Sequence, residues 1–119
     1  MLKKKSNYLS ILKLELEDLK TDIELLIKKC CEDKEEDNIS NYVFMENLTL
    51  FNNEILGVNV FHAIIDDFAS KIDEYSDLEE MIDKLKDTFM DKMKEFGVSK
   101  AIYLSILRKM DKVKSYVMQ

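Results

Sequence analysis

The fold is decided by residues 9–30, which read LSILKLELEDLKTDIELLIKKC. Apolar residues recur here at alternating spacings of three and four, which is typical of an amphipathic helix packed almost parallel to its neighbours. The residues at these spacings are Leu9, Leu12, Leu16, Leu19, Ile23, Leu26 and Cys30. We therefore expect a first helix over about 5–31, followed by the acidic run 32–37 as a solvated loop.

Three further segments repeat this spacing and predict three more helices. They cover about 39–70, 77–96 and 100–117. The predicted stripe of helix 3 includes Leu78, Ile82, Leu85, Phe89, Met93 and Phe96. Because the connections at about 32–38 and 97–99 are short, antiparallel neighbours are favoured. The sequence predicts an all-α, up-down-up-down four-helix bundle that forms a single domain over residues 1–119.

Polar and glycine residues mark the ends of these helices. Asn38 or Ser40 can cap helix 2, and Ser99 can cap helix 4. Ser76 opens a capping-box pattern at the start of helix 3. Gly97 stands where a residue in the left-handed conformation would end that helix. These residues predict where the chain turns.

Composition excludes several classes of protein. The chain has 119 residues, no Pro and two Gly, with 46% hydrophobic and 35% charged residues, which fits neither a disordered chain nor a β-sandwich. Cys30 and Cys31 are adjacent, so neither a disulfide framework nor a zinc site is predicted. The longest run without a charge, 55–65, is well short of the ~20 residues that span a bilayer. We expect a soluble, cytoplasmic protein without a membrane partner.

Charge is unevenly distributed along the chain. The formal net charge is −6. Residues 66–91 carry ten acidic and three basic groups, whereas residues 92–119 carry two and seven. The acidic middle disfavours nonspecific binding of nucleic acid, because phosphate contacts need clustered cations. A nucleic-acid-binding regulator that uses the basic residues of helix 4 is one alternative function.

Helix 2 has polar residues within its apolar face. Asn47, Glu54 and His62 lie within the apolar arc of a helical wheel, and Gly57 lies near the middle of the helix. An ionised Glu in such a position must be paired, or its pKa must rise. The trio predicts either a polar core pocket or polar side chains that fix helix register. Gly57 predicts either a kink or the close approach of another helix.

Chemical signatures are weak in this sequence. A single His, with no nucleophile elbow and no phosphate loop, predicts no catalytic residues and no cofactor. Glu80, Asp83 and Asp87 form an acidic column on helix 3, and Glu80-x-x-Asp83 is similar, over four residues, to the carboxylate pairs of helical nucleotide pyrophosphohydrolases. That resemblance implies a Mg²⁺-dependent nucleotide hydrolase as another alternative. The column points away from the apolar stripe, however, which favours a solvated face.

The remaining features favour binding to another protein. Helix 1 carries a second apolar set away from its seam, and exposed apolar surface often marks an interface. Helix 4 carries an outward basic patch. The candidate interaction surface comprises Ile11, Leu14, Leu25, Arg108, Lys109 and Lys112. We expect a non-enzymatic interaction module, such as an adaptor, chaperone-like binder or inhibitor, whose partner is another protein or a second copy in a homodimer.

Overall fold

The computed structural model describes residues 2–119 and contains four α-helices, the first two much longer than the last two. The helices are α1 (Leu2–Glu35), α2 (Asn41–Ser70), α3 (Leu78–Phe96) and α4 (Lys100–Met118), and a 3₁₀ turn, Ile72–Glu74, precedes α3. At 1.5 Å per residue, α1 is about 51 Å long, α2 about 45 Å, and α3 and α4 about 28 Å each. The predicted all-α fold is confirmed.

Side-chain pairs show the register of α1 against α2. The Lys13 ammonium lies 3.0 Å from a carboxylate oxygen of Asp66, and His62 Nε2 lies 3.9 Å from Glu17 Oε1. Residue numbers rise along α1 as they fall along α2, so the two helices are antiparallel.

The two shorter helices pack on one side of this hairpin. Phe61 of α2 stacks on Phe89 of α3 with ring centroids 4.5 Å apart. Lys112 of α4 approaches Glu15 of α1 to 2.7 Å. Helix α3 packs mainly on α2 and α4 mainly on α1, which is compatible with the predicted helical bundle.

The hydrophobic core lies where all four helices overlap. On the long helices it extends from Tyr8 to Ile23 of α1 and from Val58 to Phe68 of α2. Tyr8 is fully buried, and among residues 2–119 its hydroxyl has no hydrogen-bond partner. Burial, together with the charge of Asp111, raises the pKa of Tyr8 far above its usual value. A buried, unpaired hydroxyl weakens this otherwise apolar core.

Helix ends follow the predicted caps, with one shift. The Ser40 hydroxyl accepts a hydrogen bond from the Val43 N–H at 3.1 Å, and Ser99 caps α4. Gly97 adopts the left-handed conformation, with φ of 67°, and ends α3. Helix α3, however, is capped by Asp77 rather than by Ser76, because the Asp77 carboxylate accepts from the N–H at the third helical position.

The first helix is longer than predicted. Residues 32–35 continue α1, so the prediction that the acidic loop starts at Glu32 is wrong. Lys29 donates to Asp33 at 2.8 Å across one turn, and such a pair stabilises a helix by a few tenths of a kcal/mol. Glu and Lys are also good helix formers, so the acidic composition did not end the helix.

Two residues predicted to be buried lie at the surface. Leu26 of α1 is 50% exposed and Phe96, the last residue of α3, is 48% exposed. Both lie near the level at which α3 ends and α4 begins. Their spacing along the helix is that of core residues, but little protein covers them there.

Gly57 brings another helix close without interrupting α2. The helix is continuous from Asn41 to Ser70. A Cβ atom on Gly57 would lie 2.7 Å from Val98 Cγ1 and 3.0 Å from Ile102 Cγ2. The predicted close approach is confirmed, and it sets the start of α4 directly against α2.

A buried lysine holds the N-terminal part of α1 against the connection between α2 and α3. Lys5 is only 4% exposed. Its ammonium donates to the carbonyl oxygen of Ile72 at 3.1 Å and to that of Tyr75. One bond goes to the first residue of the 3₁₀ turn and the other to the residue that follows it, and hydrogen bonds from a charged donor are especially strong.

Candidate protein-interaction surface

The α1–α2 hairpin extends beyond the other two helices. Asn53 of α2 bonds the α3–α4 turn, since its amide donates to the Gly97 carbonyl at 2.9 Å and accepts from the Ser99 N–H at 2.8 Å. The register of Lys13 with Asp66 places Leu26 of α1 opposite Asn53. The residues beyond this level, 26–52, are called the hairpin tip. They extend about 16 Å past the turn.

The hairpin tip is poorly buried although it is rich in apolar residues. Of residues 26–52, Cys30 alone is buried. The large apolar side chains exposed on the tip are Leu26, Tyr42, Val43, Met45 and Leu50. Within the tip, Ile27 and Phe51 are partly buried against the edge of the core, whereas the five exposed side chains lie where only two helices are present.

Three of these side chains continue the core past its end. Leu50 and Val43 precede Gly57 by seven and fourteen residues, so they extend the face of α2 that contacts α4. Leu26 lies seven residues after Leu19, which is beside Ser105 of α4, so Leu26 extends the face of α1 that contacts α4. Leu26, Val43 and Leu50 are called the uncovered stripe. They occupy positions at which a longer α3 and α4 would cover them.

The apex of the hairpin tip and the α3–α4 turn carry opposite charges. The hairpin tip carries six acidic and three basic residues, and Glu35, Glu36 and Asp37 at its apex are all exposed. Where the tip begins, the exposed residues Lys94 and Lys100 lie at the α3–α4 turn. The apex is thus negative and the turn positive.

The predicted polar trio is spread along α2. Asn47, Glu54 and His62 are all half-buried, and the spacing of seven and eight residues separates them by about 10 and 12 Å along the helix. His62 lies between Glu17 and Asp66, with its Nδ1 3.5 Å from Asp66 Oδ2. The three side chains therefore lie at separate positions along the helix rather than at one common site.

Glu54 behaves as its place in the apolar arc predicts. It is half-buried, and desolvation raises the pKa of its carboxyl group. The raised pKa matches the expectation for an acid drawn into an apolar surface. Glu54 lies next to Asn53, just where the α3–α4 turn contacts α2. A role for the trio in binding stays a prediction.

The acidic column of α3 faces solvent, and its first member is already engaged. Asp83 and Asp87 are exposed. Glu80 accepts from the Ser76 hydroxyl and, at 2.7 Å, from the Ser76 N–H, and Lys84 lies 3.3 Å away. These hydrogen bonds lower the pKa of Glu80 to about 2. Its carboxylate therefore accepts hydrogen bonds from the residue just before the N-cap of α3. The nucleotide-hydrolase alternative stays a prediction.

The predicted basic patch of α4 is partly neutralised by α1. Lys112 and Lys109 lie 2.7 and 3.5 Å from the Glu15 carboxylate, whereas Arg108 is exposed. The hydrogen bond from Lys112 contributes most to lowering the pKa of Glu15. Ile11 lines a cleft of about 520 Å³ between α1 and α4, beside Lys112. These residues hold α4 on α1, and nucleic-acid binding by this helix stays a prediction.

Leu14 and Leu25, the other predicted surface residues, do protrude from α1. Each is 60% exposed. The eleven-residue step places them on one face of the helix, with about 16 Å between them along its axis. Asp18 and Thr21 lie between them, so the two leucines do not form a continuous apolar patch.

Two properties of the described residues bear on other classes of function. Across residues 2–119, no group of three His, Cys, Asp or Glu side chains is placed to hold a metal ion. In the same part of the chain, α2 is the one helix long and apolar enough to cross a membrane, and 28% of its most apolar window is buried.

Comparisons with protein-family models, with curated protein sequences and with solved structures find no match to this chain.

Proposed function

We propose that this chain is a helical protein-interaction module whose hairpin tip binds helices of a partner protein. The observation that carries the proposal is the uncovered stripe of Leu26, Val43 and Leu50, which keeps the spacing of the core beyond the end of α3 and α4. Apolar side chains at helical spacing are what helix-in-groove recognition uses. A partner that supplies two helices would complete a four-helix bundle around the tip.

The polar side chains of α2 favour a protein partner over a lipid bilayer. Glu54 and His62 would both enter the hydrocarbon if the apolar middle of α2 crossed a membrane, and a charged side chain at the centre of a spanning helix costs roughly 2.5–3.5 kcal/mol. Asn53 would also lose its two hydrogen bonds to the α3–α4 turn. A protein surface can match such polar groups with hydrogen bonds, whereas lipid tails cannot.

Photo-crosslinking in the native host tests the proposal. A benzophenone amino acid replaces Leu50 on the tip in one variant and Leu14 in a matched variant, because both leucines are exposed on long helices. We expect a discrete protein adduct from position 50 and none of comparable yield from position 14. An adduct confined to position 14 would place the binding surface on the outer face of α1 and refute the assignment to the tip.

A vesicle experiment separates the membrane alternative. The purified chain is mixed with vesicles of phosphatidylcholine and phosphatidylserine and floated through a density gradient. We expect the protein to stay at the bottom, with and without a Leu50→Glu substitution. Flotation of the wild-type chain that is abolished by Leu50→Glu would mean that the tip binds lipid, and the proposed function would then be wrong.

A further inference from the structure

We propose that the partner of the hairpin tip is a second copy of this chain, and that two copies interlock head to head through their tips. This inference rests on the proposed function, because it names the partner of the same surface. At one end of each copy, α1 and α2 continue for about 16 Å beyond the point where α3 ends and α4 begins, and we call this change in thickness the step. A second copy turned by 180° fills the missing half of the step with its own tip.

The shapes of the two copies match by symmetry. In a two-fold arrangement each tip lies beside the other, so α1 and α2 of both copies form a central four-helix bundle about three turns long. The uncovered stripe of each copy then faces the stripe of the other. The apex of each tip reaches the α3–α4 turn of the opposite copy, since both tips have the same length.

Charge complementarity identifies the second copy as the occupant. The apex brings the carboxylates of Glu35 and Glu36 to the opposite turn, where Lys94 and Lys100 are exposed. Lys92, by contrast, is already 3.3 Å from Glu95 in its own helix. Two-fold symmetry makes this favourable contact twice, whereas two tips meeting apex to apex would set acid against acid. Complementary charges of this kind fix the register of an interface.

A charge-swap experiment tests this arrangement. One variant carries Glu35→Lys and Glu36→Lys, so that its apex and turn are both basic. A second carries Lys94→Glu and Lys100→Glu, so that both are acidic. Each variant alone should dimerise roughly tenfold or more weakly than the wild type, because each contact becomes repulsive. An equimolar mixture should recover a heterodimer within about threefold of wild-type affinity, because both contacts become attractive again.

A matched control addresses nonspecific effects of charge. Asp83→Lys with Asp87→Lys reverses two exposed carboxylates on α3, far from the proposed interface. Analytical ultracentrifugation should show wild-type dimerisation for this control. Equal weakening of dimerisation by the control and by the apex variant would overturn the inference, as would a mixture of swapped variants that stays monomeric.

The overall length gives an independent check. One copy is 55 Å long, and overlap of two copies along the tip gives a dimer about 95 Å long. Small-angle scattering should report a maximum dimension near that value. A side-by-side dimer would be only slightly longer than the monomer, and finding one would refute the interlocked arrangement.

The inference and the proposed function fail differently. A chain that stays monomeric at 100 μM, yet crosslinks to another protein from position 50, leaves the proposed function standing and refutes the second copy as partner. A monomeric chain with no adduct from the tip refutes both. Leu50→Glu should weaken dimerisation roughly a hundredfold, as expected for a residue at the centre of an interface, and Leu14→Glu should leave it unchanged.

Discussion

Gly57→Ala tests how tightly the α3–α4 turn is held against α2. Two effects oppose each other in this substitution. Alanine is favoured over glycine within a helix by about 1 kcal/mol. The new Cβ, however, would lie 2.7 Å from Val98 Cγ1, whereas ordinary contacts begin near 3.4 Å. Either Val98 must move by about 0.7 Å, or α2 must shift away from the turn.

Val98 has little freedom to move. It is buried, its N–H bonds the Met93 carbonyl at 3.0 Å, and Asn53 bonds the residues on both sides of it. Overpacking of a core held in this way costs typically 1–3 kcal/mol. We therefore expect Gly57→Ala to lower the free energy of unfolding by about 1 kcal/mol after the gain in helix propensity is included.

Urea denaturation followed by circular dichroism measures this change. The midpoint should fall while the slope of the transition stays constant. Ala63→Gly, at an exposed site of the same helix, measures the propensity difference alone. In a Val98→Ala background the cost of Gly57→Ala should shrink, because the nearest clashing atom is gone. A Gly57→Ala variant more stable than the wild type by the full propensity difference would refute the proposed close packing.

Three further substitutions test the buried polar groups and the start of α3. Tyr8→Phe should raise the free energy of unfolding by about 1 kcal/mol, because the hydroxyl has no partner within residues 2–119. A free energy of unfolding that falls instead, measured by thermal denaturation, would contradict this reasoning. Lys5→Met should cost about 2 kcal/mol by removing a charged donor from two carbonyl groups. The exposed Lys4→Met should change little, and equal effects of the two would contradict the role of Lys5. Glu80 has a folded-state pKa of about 2, below its unfolded value, so its ionised form stabilises the fold above about pH 4.5 and loses that effect as the pH falls toward 2. The stability difference between wild type and Glu80→Gln should therefore shrink between pH 5 and pH 2, and a difference that stays constant would contradict the bonds from Ser76.

The spacing of apolar residues by three and four predicted much of the core, because residues at that spacing lie on one face of a helix and that face packs against the neighbouring helices. Leu12, Leu16, Leu85 and Phe89 are buried as their spacing predicts. The same spacing also placed Leu26 in the core, where it is half exposed. Spacing reports which face of a helix is apolar, but it cannot report how far the neighbouring helices extend. The uncovered stripe could therefore not be recognised before the lengths and register of all four helices were known.

Buried polar residues were missed for a different reason. Lys5 belongs to a run of three lysines near the start of the chain, and nothing local distinguishes it from the exposed Lys4. Its burial depends on carbonyl groups about 70 residues away, at Ile72 and Tyr75. The Ser99 cap was predicted correctly, and Ser40 was one of two candidates for the cap of α2, because the partners of both lie three residues away on the same chain segment.

The position of the uncovered stripe bears on why a partner should complete this fold. Leu26, Val43 and Leu50 gain little where they are, since each leaves more than a third of its surface in water. A polar residue at these positions would be equally compatible with a two-helix hairpin and would leave less apolar area exposed. Their spacing instead matches that of a bundle core with two helices missing. Under the proposed function those two helices come from another molecule. A second copy supplies them most simply, because its acidic apex then meets the basic turn of the first copy.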